Sequence, residues 1–187
     1  DRQPVAAADL VLAADQRAEH PQREDGADAE HEPGEDRGDH AQHRTRGDGA
    51  ARRDRGLDDP QGRYGLGALW SDLDNDGWPD LYVANDGGIN YLYHNLGNGR
   101  FEEIGLISGA GVRENGAEQS SMGLALGDYL NHGRLALLVT NFAEDYCTLY
   151  RNEGNLNFTD VSESSGLAIA TLPFVNWGTF FFDYDND

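Results

Sequence analysis

The chain has 187 residues and a formal net charge of −20 at pH 7, from 34 acidic residues against 14 basic ones. Nucleic acid is disfavoured as a partner, because binding a polyphosphate needs a basic patch, and residues 61–187 hold only Arg63, Arg100, Arg113, Arg134 and Arg151. One cysteine, Cys147, leaves no intrachain disulfide and no thiolate metal cluster.

Residues 1–60 contain no aromatic residue, and Val5, Leu10, Val11, Leu12 and Leu57 are their only large aliphatics. Such a segment cannot bury a core and is expected to be a disordered low-complexity tail. All its basic residues are arginine, which also fits a mistranslated stretch of GC-rich DNA. Arg37-Gly38-Asp39 and Arg46-Gly47-Asp48 have the form of integrin-recognition triplets, and His20, His31, His40 and His43 suggest metal ligands. In a segment this biased, both patterns follow from composition alone. Asp9 interrupts the only apolar run near the start, so no secretory signal is read there, and no membrane span anywhere.

The character changes at Tyr64. An apolar strand leads into Asp72, Asp74, Asp76, Gly77 and Asp80, written DLDNDGWPD. Oxygen ligands at alternate residues around a sharp turn suit Ca2+, a hard cation that takes several oxygens at about 2.3–2.6 Å. Asp72, Asp74, Asp76 and Asp80 would offer carboxylates, and Trp78 its backbone carbonyl. An EF-hand loop opens the same way but carries a glutamate at its twelfth position, where this chain has Val83. The bland alternative is an Asx-rich turn that holds no ion. Leu81-Tyr82-Val83-Ala84 then reads as a strand, ended by the turn signal Asn85-Asp86-Gly87-Gly88.

The pattern repeats. Leu66–Leu73 aligns with Met122–Tyr129 at an offset of 56 and with Trp177–Tyr184 a further 55 on; Gly67, Gly123 and Gly178 each stand five residues before the loop-opening aspartate. Leu92-Tyr93-His94-Asn95 aligns with Leu149-Tyr150-Arg151-Asn152 at an offset of 57, so the extra residue falls in a turn between Asn141 and Cys147. Each unit reads as four short strands, the second of them apolar on both faces, as in Leu135–Val139, and such a strand belongs between neighbouring sheets. Four strands per repeat predict an all-β fold of propeller blades: repeat 1 over 61–116, repeat 2 over 117–172 and a truncated repeat 3 over 173–187.

These stretches resemble FG-GAP and VCBS-type β-propeller repeats, most closely those of the cartilage acidic protein and ASPIC/UnbV group. DLDNDGWPDLYVAND, TLYRNEGNLNFTDVSESSGL and WGTFFFDYDND carry the likeness. The resemblance implies a calcium site between blade strands, an extracellular, periplasmic or cell-surface location, and a role in adhesion or display with a protein or glycan as ligand.

The loops are unequal. Asp128 and Gly133 keep the turn of the second, but Leu130, His132 and Ala136 replace its oxygen ligands, and no calcium is expected there. The third holds Asp183, Asp185 and Asp187, half a site. Since the chain opens on Asp1 and stops inside a loop, it is expected to be a fragment of a longer frame whose end blades expose apolar faces.

No nucleophile elbow, HExxH pair or phosphate loop is present. His94 and His132 read as surface or turn histidines, Cys147 as a small buried hydrophobe, and Asn157-Phe158-Thr159 as a strand start that happens to match a glycosylation acceptor. The expectation is a calcium-binding, non-enzymatic binding or adhesion module. The alternative is the propeller portion of a polysaccharide lyase or hydrolase.

Overall fold

A computed structural model describes residues 54–59 and 61–183. It contains two four-stranded antiparallel sheets, each with its strands side by side in chain order. The first holds β1 (Tyr64–Ser71), β2 (Asp80–Asp86), β3 (Tyr91–Asn95) and β4 (Phe101–Glu103); the second holds β5 (Ser121–Gly127), β6 (Ala136–Asn141), β7 (Thr148–Gly154) and β8 (Asn157–Asp160). A one-turn helix follows each sheet, α1 (Gly105–Ser108) and α2 (Leu167–Thr171). The four-strand unit read from the repeat is thus present twice, as two packed sheets and not as a closed ring.

Register explains where the core sits. In β6 all six residues are buried, because its two faces serve different clusters. Leu137 and Val139 face a cluster shared between the sheets, with Leu73, Tyr82, Leu92, Tyr150 and Phe158. Ala136 and Leu138 face the other way, onto Cys147, Leu149, Val161, Leu167 and Phe181. Each fully buried Leu or Val contributes roughly 1.5–3 kcal/mol of transfer free energy, so a strand apolar on both faces is stable only with cover on both. Burial also pushes the Cys147 thiol up, in keeping with a packing role.

The sheets meet through a close backbone approach that recurs with the repeat. A Cβ at Gly67 would stand 2.4 Å from the carbonyl oxygen of Met122, and one at Gly123 only 1.8 Å from that of Trp177. The start of repeat 3 therefore lies on β5 much as β5 lies on β1. Thr140 Oγ1 donates to the Trp177 carbonyl at 2.9 Å, and the Asn176 N–H to that of Asn141 at 3.2 Å. Residues 174–183 form no strand. Leu66 and Trp70 are exposed at one end of the stack, and Trp177, Phe180 and Phe182 at the other.

The tail was bounded at residue 60, and most of it lies outside the described residues, yet residues 54–59 are placed along the first sheet. Tyr91 and Tyr93 donate their hydroxyls to Asp59 Oδ1 at 3.0 Å and to the Asp58 carbonyl at 2.9 Å, so polar residues serve as caps for two buried tyrosines. In the 95–101 hairpin Gly97 and Gly99 take positive φ, and in the second hairpin Gly154, Asn155 and Leu156 do so. The Leu156 side chain is then buried in the inter-sheet cluster. Among the described residues no helix is long and apolar enough to cross a membrane.

Gly67→Ala is expected to cost about 1–3 kcal/mol through overpacking against the Met122 carbonyl, lowering the melting temperature by roughly 2–4 °C for each kcal/mol in a chain of this length. Thermal and urea melts of the two chains check it.

Candidate metal centre

The loop between β1 and β2 is built by its own carboxylates. Asp72 accepts the N–H of Asp76 at 3.1 Å and of Gly77 at 2.9 Å; Asp74 accepts Asp76 N–H at 3.2 Å, and Asp76 accepts Trp78 N–H at 2.7 Å. Asn75 and Gly77 take positive φ to make the turn, conformations that asparagine and glycine tolerate best. The Trp78 ring is half exposed and lies over Gly97, where a Cβ would stand 2.8 Å from the indole nitrogen.

Asp80 is the buried anchor. It is fully inaccessible; two backbone N–H groups donate to it, Leu73 to Oδ2 at 3.1 Å and Asn95 to Oδ1 at 2.9 Å, and His94 Nδ1 lies 3.1 Å from Oδ1. A carboxylate has about four lone-pair sites, which leaves room for one more partner. His94 Nδ1 also lies 3.9 Å from Asp74 Oδ2.

Ligand atoms of Asp72, Asp74 and Asp80 all lie within 4.8 Å of one another, and so do those of Asp74, Asp76 and His94. No pair of these atoms is further apart than two ligands on opposite sides of an ion at about 2.4 Å from each, so the residues present fit a divalent cation. Burial raises the Asp74 carboxyl above its ordinary value, and the charges of Asp80 and Asp76 raise it further. The site disfavours its own negative charge unless a cation joins it.

The second loop, between β5 and β6, has the same backbone and different chemistry. Asp128 accepts the N–H of His132 at 3.0 Å and of Gly133 at 2.6 Å, the same pair of bonds that Asp72 makes, and Asn131 and Gly133 take positive φ. The space above it, about 210 Å³, is lined by Asp128, Leu130, His132, Arg134, Ala136, Arg151 and Glu153, among others. Arg151 stands where the first repeat has His94, and it is paired to Glu153 at 2.7 Å. Burial works against ionisation of Asp128, but the N–H groups of His132 and Gly133 and the neighbouring His132 outweigh it and hold the carboxyl below its ordinary value.

Of the residues read from the sequence as ligands, Asp72, Asp74, Asp76 and Asp80 are brought together, and the Trp78 N–H closes the turn. In the third loop Asp183 is described and exposed; Asp185 and Asp187 lie outside the described residues. His94 was read as a surface or turn histidine and is instead part of the centre, half-buried against Asp80 and Asp74. The sequence shows only that in LYHN the histidine stands where LYRN has an arginine.

Residues 72–139 match the model of the FG-GAP-like repeat. The matched stretch runs from the head of the first loop to β6, so the FG-GAP-like repeat covers the carboxylate cluster and the step from one sheet to the next. A search of curated proteins finds no match.

Replacing Asp128 by Ala removes two charge-assisted bonds in a loop without the carboxylate cluster, and is expected to cost about 1 kcal/mol at pH 7. Because the folded value lies below the ordinary 3.8, this contribution is fully present above that pH and is lost as pH falls through the lower folded value. Melts of Asp128→Ala and the unaltered chain should therefore differ at pH 7 and converge in acid.

Proposed function

We propose that the first loop binds one Ca2+ through Asp72, Asp74, Asp76, the Trp78 carbonyl and Asp80, in a propeller-type repeat module. The observation that carries this is the convergence of Asp72, Asp74 and Asp80 within 4.8 Å, on a loop whose backbone is already closed by its own hydrogen bonds. Oxygen-only ligands at that spacing select a hard cation. A bound ion would supply positive charge to carboxylates that oppose one another. The chain's own residues do the rest: Asp72 shapes the turn, Asp80 fixes its base, and Asn75 and Gly77 let the backbone reverse.

The wider reading is a non-enzymatic binding or adhesion module, placed outside the cell, in a periplasm or on a cell surface, with a protein or glycan as its partner. The FG-GAP-like match at 72–139 supports it, as does the likeness of the loop and of the 148–167 stretch to the cartilage acidic protein and ASPIC/UnbV group.

Calorimetric titration of the full chain with CaCl2 is expected to show one saturable site, absent from an Asp74→Ala, Asp76→Ala double variant. Calcium at a hundred times its Kd should stabilise the fold by about 2.7 kcal/mol, read as a rise in melting temperature that the double variant lacks. Without calcium, Asp74→Asn should melt at or above the unaltered chain, since it removes a charge that burial and its neighbours oppose. A folded chain that binds no calcium would sink the reading.

A further inference from the structure

The step from one sheet to the next is made twice in the same way. The carbonyl of Met122 sits on Gly67 and that of Trp177 on Gly123, and a side chain at either glycine would collide with it. Beside the first contact, Leu124 and Leu126 of β5 and Leu137 and Val139 of β6 pack into the cluster shared with the first sheet. An offset of 56 turns Met122 and these four residues into Leu66, Ala68, Trp70, Leu81 and Val83. Pairing of Ala68 with Val83 and of Trp70 with Leu81 puts the last four on one face of the first sheet. Among the described residues nothing covers that face over β1, and Leu66 and Trp70 are half exposed. The far end of the stack presents the matching half. Phe181 turns inward onto Gly127 and the cluster around Cys147, whereas its neighbours Phe180 and Phe182 are exposed, with ring centres 5.3 Å apart. Gly178 aligns with Gly67 and Gly123, yet a Cβ there would meet nothing within 4 Å. Of the three aligned glycines it alone has no carbonyl seated on it among the described residues.

We infer that the chain associates with a second copy of itself head to tail, the β1 face of one copy seating on the 177–182 segment of the other, with the Leu66 carbonyl over Gly178. The occupant is a second copy because the contact continues an interface that the chain already makes with itself twice, and because both of its halves are present and uncovered. The two surfaces differ, so the contact is heterologous, and assembly proceeds to a ring or an open chain and not to a closed symmetric pair. Burial of the half-exposed Leu66, Trp70, Phe180 and Phe182 drives it. The net charge of −20 opposes it, so added salt strengthens the association.

The test is sedimentation velocity of the full chain over a concentration series, at low and at physiological salt. The average mass is expected to rise with concentration, and to rise further with salt. Gly178→Val should weaken self-association by about tenfold or more, through overpacking against the incoming carbonyl. It should leave the melting temperature unchanged at a dilution where copies are separate, because the added side chain enters open space. Leu66→Asp should block the other half of the contact. Each variant keeps one working surface, so an equal mixture of the two is expected to form one-to-one pairs and nothing larger. A chain that stays a monomer throughout overturns the inference, as does self-association undiminished in Gly178→Val or a mixture that does not pair. Should Leu66→Asp fail to fold, Gly178→Val decides the matter alone.

Discussion

Everything the two loops present depends on one carboxylate at the head of each. Asp72 and Asp128 each accept two N–H groups from residues four and five places further on, and so close a reversal that would otherwise leave those donors pointing at nothing. The strand pairs begin just outside this knot, at Ser71 with Asp80 and at Gly127 with Ala136. The second loop keeps this geometry while lacking the other carboxylates. An ion is therefore not needed to shape the turn. The opening aspartate is a fold residue first, and what separates an ion site from a plain turn is the company it keeps.

That company is inverted between the repeats. Where the first has Asp74, Asp76, Trp78, Asp80 and His94, the second has Leu130, His132, Arg134, Ala136 and Arg151. In the first, anionic groups converge and Asp74 is pushed up by burial and by Asp80 and Asp76. In the second, the cations are side chains: Arg151 reaches Glu153 with Nε and a terminal nitrogen, both at 2.7 Å, and draws that exposed carboxyl below its ordinary value. One scaffold thus appears once with an excess of negative charge, and once with its charges balanced from within.

Local signals made the strands legible. The unbroken apolar run of β6, the apolar residues leading into Asp72 and the asparagines and glycines of the turns each fix a few residues of backbone, and the repeat multiplies their weight. The buried polar contacts between elements were not legible. Asn90 donates to Ser121 at 2.9 Å and Ser121 to Asn141 at 2.9 Å, a chain linking the two sheets whose members look in sequence like ordinary turn residues. His94 was missed for the same reason. Its partner Asp80 lies 14 residues away, across a strand pair, and spacing along the chain carries no trace of that meeting. The capping of Tyr91 and Tyr93 by residues 58 and 59 was hidden by composition, which gives polar residues next to the first strand no visible task.

The first loop is not isolated from the second sheet. Asn152, buried in β7, donates to the carbonyl of Leu135 at 3.2 Å, as Asn95 does to that of Pro79 in the first repeat, but it also donates to the carbonyl of Leu73 at 2.8 Å. Asn75 returns the link, donating to the Gly133 carbonyl at 3.2 Å. Leu73 is in turn part of the cluster shared by the sheets and gives its N–H to Asp80. Free energy gained at the carboxylates is accordingly felt in the packing of both repeats, because the residue between Asp72 and Asp74 is held by one sheet through its N–H and by the other through its carbonyl. The two loops, one rich in carboxylates and one with its charges balanced, are thereby tied into a single packed unit.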